Sequence, residues 1–409
     1  RPLVLEVPPP MQREASFSVR DDGQGVPEYR FHVPDPAGGN TEMTIHQNGL
    51  NGYNLADFVL GPELGRGEGG GVRIAFHRPT NKNYALKEIT IGTQANRHQL
   101  GKELQTHMTC GAMQDIVQLF DVFYDEGRVY LVLELMDWGS LEALLHRQGS
   151  ARMDEGVLSV IMRKITSALH FLHDQHSMVH RDLKPGNVVL NCAGVVKLSD
   201  FGVSRVVDNE AKGMSWVGTA SYMSPERLLG SQYTHKADVW SLGIMCIECA
   251  IGRHPYLRED GQETVFFELM QRVVSDPPPI PQNQGLSGQL VDFIQCSLAK
   301  EEQQRWGARD LLNHPFLTMH ADKGEEIVTS WLAQFERPTI YDDEGNVYSL
   351  DGQAAQDADS LLLPDVSVTY PSNAMSMDAM GGMGMPAMGG TGMPGLGGPA
   401  GGVGMDPMM

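Results

Sequence analysis

The sequence predicts an α+β fold with flexible ends, and three observations predict it. A glycine-rich turn, Leu64-Gly65-Arg66-Gly67-Glu68-Gly69-Gly70-Gly71-Val72, precedes an apolar, strand-like segment, Tyr84-Ala85-Leu86-Lys87. The run His180-Arg181-Asp182-Leu183-Lys184-Pro185-Gly186-Asn187 is followed by Asp200-Phe201-Gly202. Asp238-Val239-Trp240-Ser241-Leu242-Gly243 then opens a hydrophobic helix.

Taken in chain order, residues 1–56 are rich in Pro, Gly and polar groups with little periodicity, so they read as a mostly disordered leader. Glycines at 65–71 permit a tight strand-turn-strand and the close backbone approach a triphosphate needs, although such turns also occur without ligands. Lys87 lies fifteen residues past Val72 with apolar neighbours, which points it inward. An inward ammonium is costly unless paired, and Glu103, sixteen residues on in a helix-forming segment, is the acid placed to pair it. Alone, Glu103 would read as a solvated helix residue. The order of all the motifs selects the pair instead.

That ordered set resembles the protein kinases over roughly residues 57 to 337. The resemblance implies two lobes: a small, mainly antiparallel β lobe at about 57–136 with one regulatory helix, and a larger, mainly helical lobe at about 137–320. It also implies ATP and Mg²⁺ as cofactors. ATP would be bound by Leu64, Gly65, Arg66, Gly67, Glu68, Gly69, Gly70, Gly71, Val72, Ala85, Lys87, Glu103, Glu134 and Met136. Lys87 would hold the α- and β-phosphates, Asn187 and Asp200 the metal, and Asp182 would accept the hydroxyl proton. Lys184 is similar to the lysine that touches the transferred phosphate in serine/threonine kinases. Glu226 of Ser224-Pro225-Glu226 and Arg305 would form a buried structural pair.

Val217-Gly218-Thr219-Ala220-Ser221-Tyr222-Met223-Ser224-Pro225-Glu226-Arg227 resembles the MAP kinase kinases, as does Leu133-Glu134-Leu135-Met136-Asp137-Trp138-Gly139-Ser140-Leu141 apart from Trp138. This implies a cytoplasmic, or also nuclear, enzyme that phosphorylates Thr and Tyr of a MAP kinase and is activated by an upstream MAP kinase kinase kinase. The other readings are a sterile-20-like Ser/Thr kinase and a pseudokinase scaffold, against which the intact Lys87, Asp182, Asn187 and Asp200 argue. Two positions depart from the pattern. Ser215 matches one regulatory phosphosite, but Glu210-Ala211 replaces the other. His107, one turn after Glu103, stands where an apolar residue is usual and reads as a neutral core histidine.

Composition excludes other classes. The net charge is −20, and residues 321–409 hold 13 acidic against 2 basic side chains, so no basic field exists for nucleic acid. Five scattered cysteines fit reduced thiols, and Cys246-Ile247-Glu248-Cys249, lacking a second pair, reads as core. No apolar run is long enough to span a membrane. Arg1-Pro2-Leu3-Val4-Leu5 is only weakly similar to a MAP kinase docking motif. Within 321–340, Ile327, Val328, Trp331, Leu332 and Phe335 share a helical face after Glu325-Glu326, as in a docking helix or a plain packed helix. Residues 341–409, acidic and then Met/Gly-rich, read as a flexible tail.

Overall fold

Within residues 1–56, which by composition read as a mostly disordered leader, three segments are strands. The computed structural model describes residues 16–21, 27–34, 40–45, 49, 51–67, 70–91, 94–110, 113–149, 151–200, 218–256, 265–281 and 284–340, all within one compact unit, Arg1–Pro371. Strands β1 (Ser16–Asp21), β2 (Pro27–Pro34) and β3 (Asn40–Ile45) form an antiparallel meander. Its register aligns Phe17 with Phe31 and Met43, and Val19 with Tyr29 and Ile45. These apolar positions share one face because the strand period is two, a pattern diluted in the sequence by the polar residues between the strands. Ile45 is fully buried in the core of the small lobe. The following segment is fastened by Asp121, whose Oδ2 accepts the backbone N–H of Asn51 (3.0 Å) and of Tyr53 (3.2 Å).

Strands β4 (Phe58–Gly67), β5 (Gly70–His77), β6 (Lys82–Thr90), β7 (Leu119–Asp125) and β8 (Arg128–Leu133) make a five-stranded antiparallel sheet, ordered β4-β5-β6-β8-β7. Alternation along β8 explains why both faces are covered. Val129, Leu131 and Leu133 meet Leu100 and Leu104 of helix α1 (Gln94–Cys110), whereas Tyr130 and Val132 join Phe58, Tyr84 and Phe123 on the outer face. Gly70 has φ +152°, and a Cβ there would sit 1.8 Å from the Glu88 carbonyl oxygen, so only glycine lets β5 pass so close.

The helical lobe begins at β9 (Gly139–Ser140) and α2 (Leu141–Gln148), whose N-cap Ser140 accepts from Ala143 N–H. Asp154 caps α3 (Glu155–His170), and β10 (Val188–Leu190) and β11 (Val196–Leu198) complete a small sheet with β9. Helix α4 (Lys236–Ile251) is the axis of this lobe, with Trp240, Leu242, Ile244 and Ile247 fully buried. Helices α3 and α6 (Gly288–Ser297) pack on it, α5 (Phe266–Val274) packs on the short turn at Pro225–Leu228, and α7 (Gly324–Leu332) packs on α3. A Cβ on Gly243 would come 2.7 Å from Leu298 Cδ2, which shows how closely the chain following α6 approaches α4. Each buried Leu or Ile here contributes about 1.5–3 kcal/mol, and Trp240→Ala, which leaves a cavity, costs about 3–5 kcal/mol.

Candidate active site

Lys87 on β6 is the meeting point of the two lobes. Its Nζ lies 2.8 Å from Glu103 Oε1 on α1 and 2.6 Å from Asp200 Oδ1 beyond β11. Burial alone would lower the pKa of Lys87, but the charges of Asp200 and Glu103 overcome it and hold the pKa well above the ordinary lysine value. The same ammonium holds Asp200 below the usual carboxylate range. Burial raises Glu103 against the pull of Lys87. His107, 5% exposed, is pushed down to about 4 by burial and then by the Lys87 charge, so it is neutral at pH 7, as its apolar position suggests.

The catalytic loop hangs from α4. Asp238, fully buried, accepts the backbone N–H of His180 on Oδ2 (2.8 Å) and of Arg181 on Oδ1 (2.9 Å). A π turn at Phe171–Gln175, at the end of α3, brings His173 Nε2 to 2.8 Å from Asp238 Oδ2. Burial would raise the Asp238 pKa, yet the His173 hydrogen bond and the surrounding donors pull it down to about 2. These contacts hold Arg181 at φ +72°, a costly conformation for a side-chain-bearing residue. Sequence reasoning missed this role of Asp238. The available signal was a lone carboxylate at the head of an otherwise apolar helix.

Around Asp182 the geometry is tight. Asn187 Nδ2 donates to the Asp182 carbonyl (2.6 Å) and to its Oδ2 (3.0 Å). Lys184 Nζ lies 3.2 Å from Asp182 Oδ2 and 3.3 Å from Thr219 Oγ1. Asn187 directs its amide nitrogen to Asp182, while the Asp200 side chain stays 45% exposed. One carboxylate and one amide oxygen form a hard donor set that suits Mg²⁺. Leu64, Val72, Ala85, Leu133, Met136 and Val189 belong to one apolar cluster, which Val189 of β10 joins from the helical lobe. The Glu134 side chain accepts from Lys197 Nζ at 2.6 Å. Glu68, Gly69, Phe201, Glu210, Ala211, Ser215 and residues 1–5 and 341–409 lie outside the described residues, as does the side chain of Arg66.

Arg305, 1% exposed, grips Glu226 with both terminal nitrogens, at 2.7 and 3.2 Å, and its Nε donates to the Ala299 carbonyl. The family described as protein kinase domain matches residues 58–317. Relatives narrow the branch. The chain is 38% identical over 275 residues to mitogen-activated protein kinase kinase 2 of Arabidopsis thaliana, covering 66% of this chain and 75% of the relative. It is 39% identical over 279 residues to mitogen-activated protein kinase kinase 1c of Physcomitrium patens, covering 66% and 79%. Against dual specificity mitogen-activated protein kinase kinase dSOR1 of Drosophila melanogaster it is 35% identical over 295 residues, covering 66% and 73%. The chain belongs to the MAP kinase kinases. It is therefore an ATP-dependent Ser/Thr protein kinase of MAP kinase cascades.

One other cluster in this kinase carries metal-type side chains among the described residues: Asp292, Cys296 and His314. Phe316 N–H donates to His314 Nδ1 (3.2 Å), so the ring proton sits on Nε2 and faces Asp292 Oδ2 at 3.1 Å. A metal at Nε2 would need the opposite tautomer. The cluster is a capped, hydrogen-bonded turn. No helix among the described residues is long and apolar enough to cross a membrane.

Proposed function

We propose that this kinase transfers the γ-phosphate of ATP to the Thr and the Tyr of a MAP kinase activation loop, in the cytoplasm and nucleus. The carrying observation is that Lys87, Glu103 and Asp200 are joined, at 2.8 and 2.6 Å, beside a fully framed Asp182. Asp200 and Asn187 would hold Mg²⁺, which would supply charge neutralisation on the phosphates. Lys87 orients the α- and β-phosphates while Glu103 fixes its ammonium. Asp182 takes the proton of the attacking hydroxyl, the new O–P bond forms, and the bond to the β-phosphate oxygen breaks with its electron pair leaving on ADP. Lys184 offsets charge on the transferred group. No covalent enzyme intermediate is involved.

An upstream MAP kinase kinase kinase would activate the enzyme by phosphorylating Ser215. Helix α7 supports a place for it to dock. Val328, Trp331 and Leu332 are buried against the lobe, chiefly on α3, which is the packing role. Ile327 and Phe335 wall a groove of about 830 Å³ that is rimmed by Arg147, Arg152 and Lys323. Within it, Arg147 Nη1 is buried without a hydrogen-bond partner. Asp154 and Glu326 line the same groove, so its rim is of mixed charge over an apolar floor, which suits an apolar segment of the activator with charges of both signs. Mass-spectrometric phosphosite mapping on a panel of inactive MAP kinases tests the function. Paired phosphothreonine and phosphotyrosine are expected, and phosphate on neither residue in any member contradicts the reading.

A further inference from the structure

The turn at residues 218–222 lies beside the catalytic base, because Lys184 touches both Asp182 and Thr219, at 3.2 and 3.3 Å. The acceptor hydroxyl must come within hydrogen-bond reach of Asp182, so the residues flanking it in the substrate must pass over this turn. What fixes the turn therefore fixes the acceptor. Tyr222 O–H donates to Glu248 Oε2 at 2.5 Å, and Ser241 Oγ donates to the Tyr222 carbonyl at 2.8 Å, both partners being on α4. The third tie comes from beyond the helix.

Gly252 ends α4 in the left-handed conformation, at φ +75°, and reverses the chain so that His254 returns toward the turn. The hydrogen bonds assign the His254 tautomer. Tyr256 N–H donates to Nδ1 (3.2 Å), which leaves the ring proton on Nε2, 2.9 Å from Ser221 Oγ. Ser221, fully buried, passes its own proton to the Gly218 carbonyl at 2.6 Å. The chain of donors, Tyr256 to His254 to Ser221 to Gly218, thus runs in one direction and closes the turn from below. The His254 ring also meets the Tyr222 ring edge-on, with centroids 4.7 Å apart at 87°.

We infer that His254 is a positioning residue for the protein acceptor: through Ser221 it holds the 218–222 turn on which the substrate chain rests, without touching ATP or the reacting atoms. The inference rests on transfer to a protein hydroxyl and not on the identity of the MAP kinase. The experiment compares His254→Leu, His254→Gln and Ser221→Ala with the wild-type enzyme. It reads KM for acceptor, KM for ATP, and ATP hydrolysis without acceptor. An inactive MAP kinase and myelin basic protein serve as separate acceptors, so failure of wild type on the first alone reflects on the proposed function and leaves this test intact.

His254→Leu is expected to raise the acceptor KM roughly 5–10-fold, the loss of one hydrogen bond, with ATP KM and ATP hydrolysis within about twofold. His254→Gln, whose amide nitrogen reaches where Nε2 stands, should recover most of the loss, and adding Ser221→Ala to His254→Leu should add only the loss of the Ser221 bond to Gly218, less than the sum of the two single losses. If His254→Leu does not fold, Ser221→Ala removes the same bond together with the Ser221 bond to Gly218, so its acceptor KM should rise at least as much while ATP KM and ATP hydrolysis stay within about twofold. Equal loss of ATP hydrolysis and acceptor phosphorylation, no rescue by Gln, or an unchanged acceptor KM would overturn the inference.

Discussion

Arg305 with Glu226 and Lys87 with Glu103 are both cation and carboxylate contacts with one partner deeply buried, at 2.7 and 2.8 Å, yet their surroundings differ. Arg305 gives its remaining hydrogens to the carbonyls of Lys236, Ala299 and Lys300, so every donor ends on a fixed element of one lobe. Lys87 divides its ammonium between α1 and the segment after β11, and Asp200 beside it is 45% exposed. A pair saturated by its own lobe holds structure. A lysine that is shared between a glutamate of its own lobe and an aspartate of the other can change partners, which makes it useful to chemistry.

The contrast is sharpened most by removing the base. Asp182→Asn should lower turnover on the order of 10³-fold, about 4 kcal/mol of barrier, with an unchanged melting temperature, because its side chain is framed mainly by Asn187 and Lys184. Arg305→Met should do the reverse. Leaving Glu226 unpaired should cost about 3–5 kcal/mol in denaturant unfolding while turnover per folded molecule stays near wild type. Large loss of turnover without loss of stability in Arg305→Met would erase the distinction.

Much of this was legible in the sequence because it is encoded in charged residues at fixed spacing within apolar segments. Lys87, Glu103, Asp182 and Asp200 are conspicuous for that reason, Asn187 by its fixed place five residues after Asp182, and the structure joins them in two sets, Lys87 with Glu103 and Asp200, and Asp182 with Asn187. The leader sheet was hidden because its alternation, Phe17 and Val19 against Phe31 and Tyr29, is spread over short strands separated by polar residues. Asp238 and His254 were hidden for another reason. Their partners, at positions 173, 180 and 221, are set by chain reversals that no local pattern specifies.

A smaller effect is expected from His107, whose pKa falls from 6.5 to about 4 on folding. The unfolded chain then binds the extra proton, so stability falls as pH drops below about 6.5 and the loss levels off below about 4. Between pH 7.5 and 5 the contribution should be about 2 kcal/mol. Unfolding of wild type and His107→Leu at both pH values should show that difference, and equal pH slopes would show that His107 is not held neutral. The smallest effect belongs to the surface pair of His170 and Asp174, 2.7 Å apart and 30% and 39% exposed. Asp174→Asn should change stability by no more than about 0.5 kcal/mol. A loss of 2 kcal/mol would mean that exposure is a poor guide to which pairs matter.

The central claim is that Lys87 and Asp200 act as one unit on the charge of the transferred phosphate. A double-mutant cycle of turnover with Lys87→Met, Asp200→Asn and both together tests it most directly. Each single variant should lose several kcal/mol of transition-state stabilisation, and the double variant should lose scarcely more than the worse single. Near-wild-type turnover in either single variant, or fully additive losses, would contradict the account.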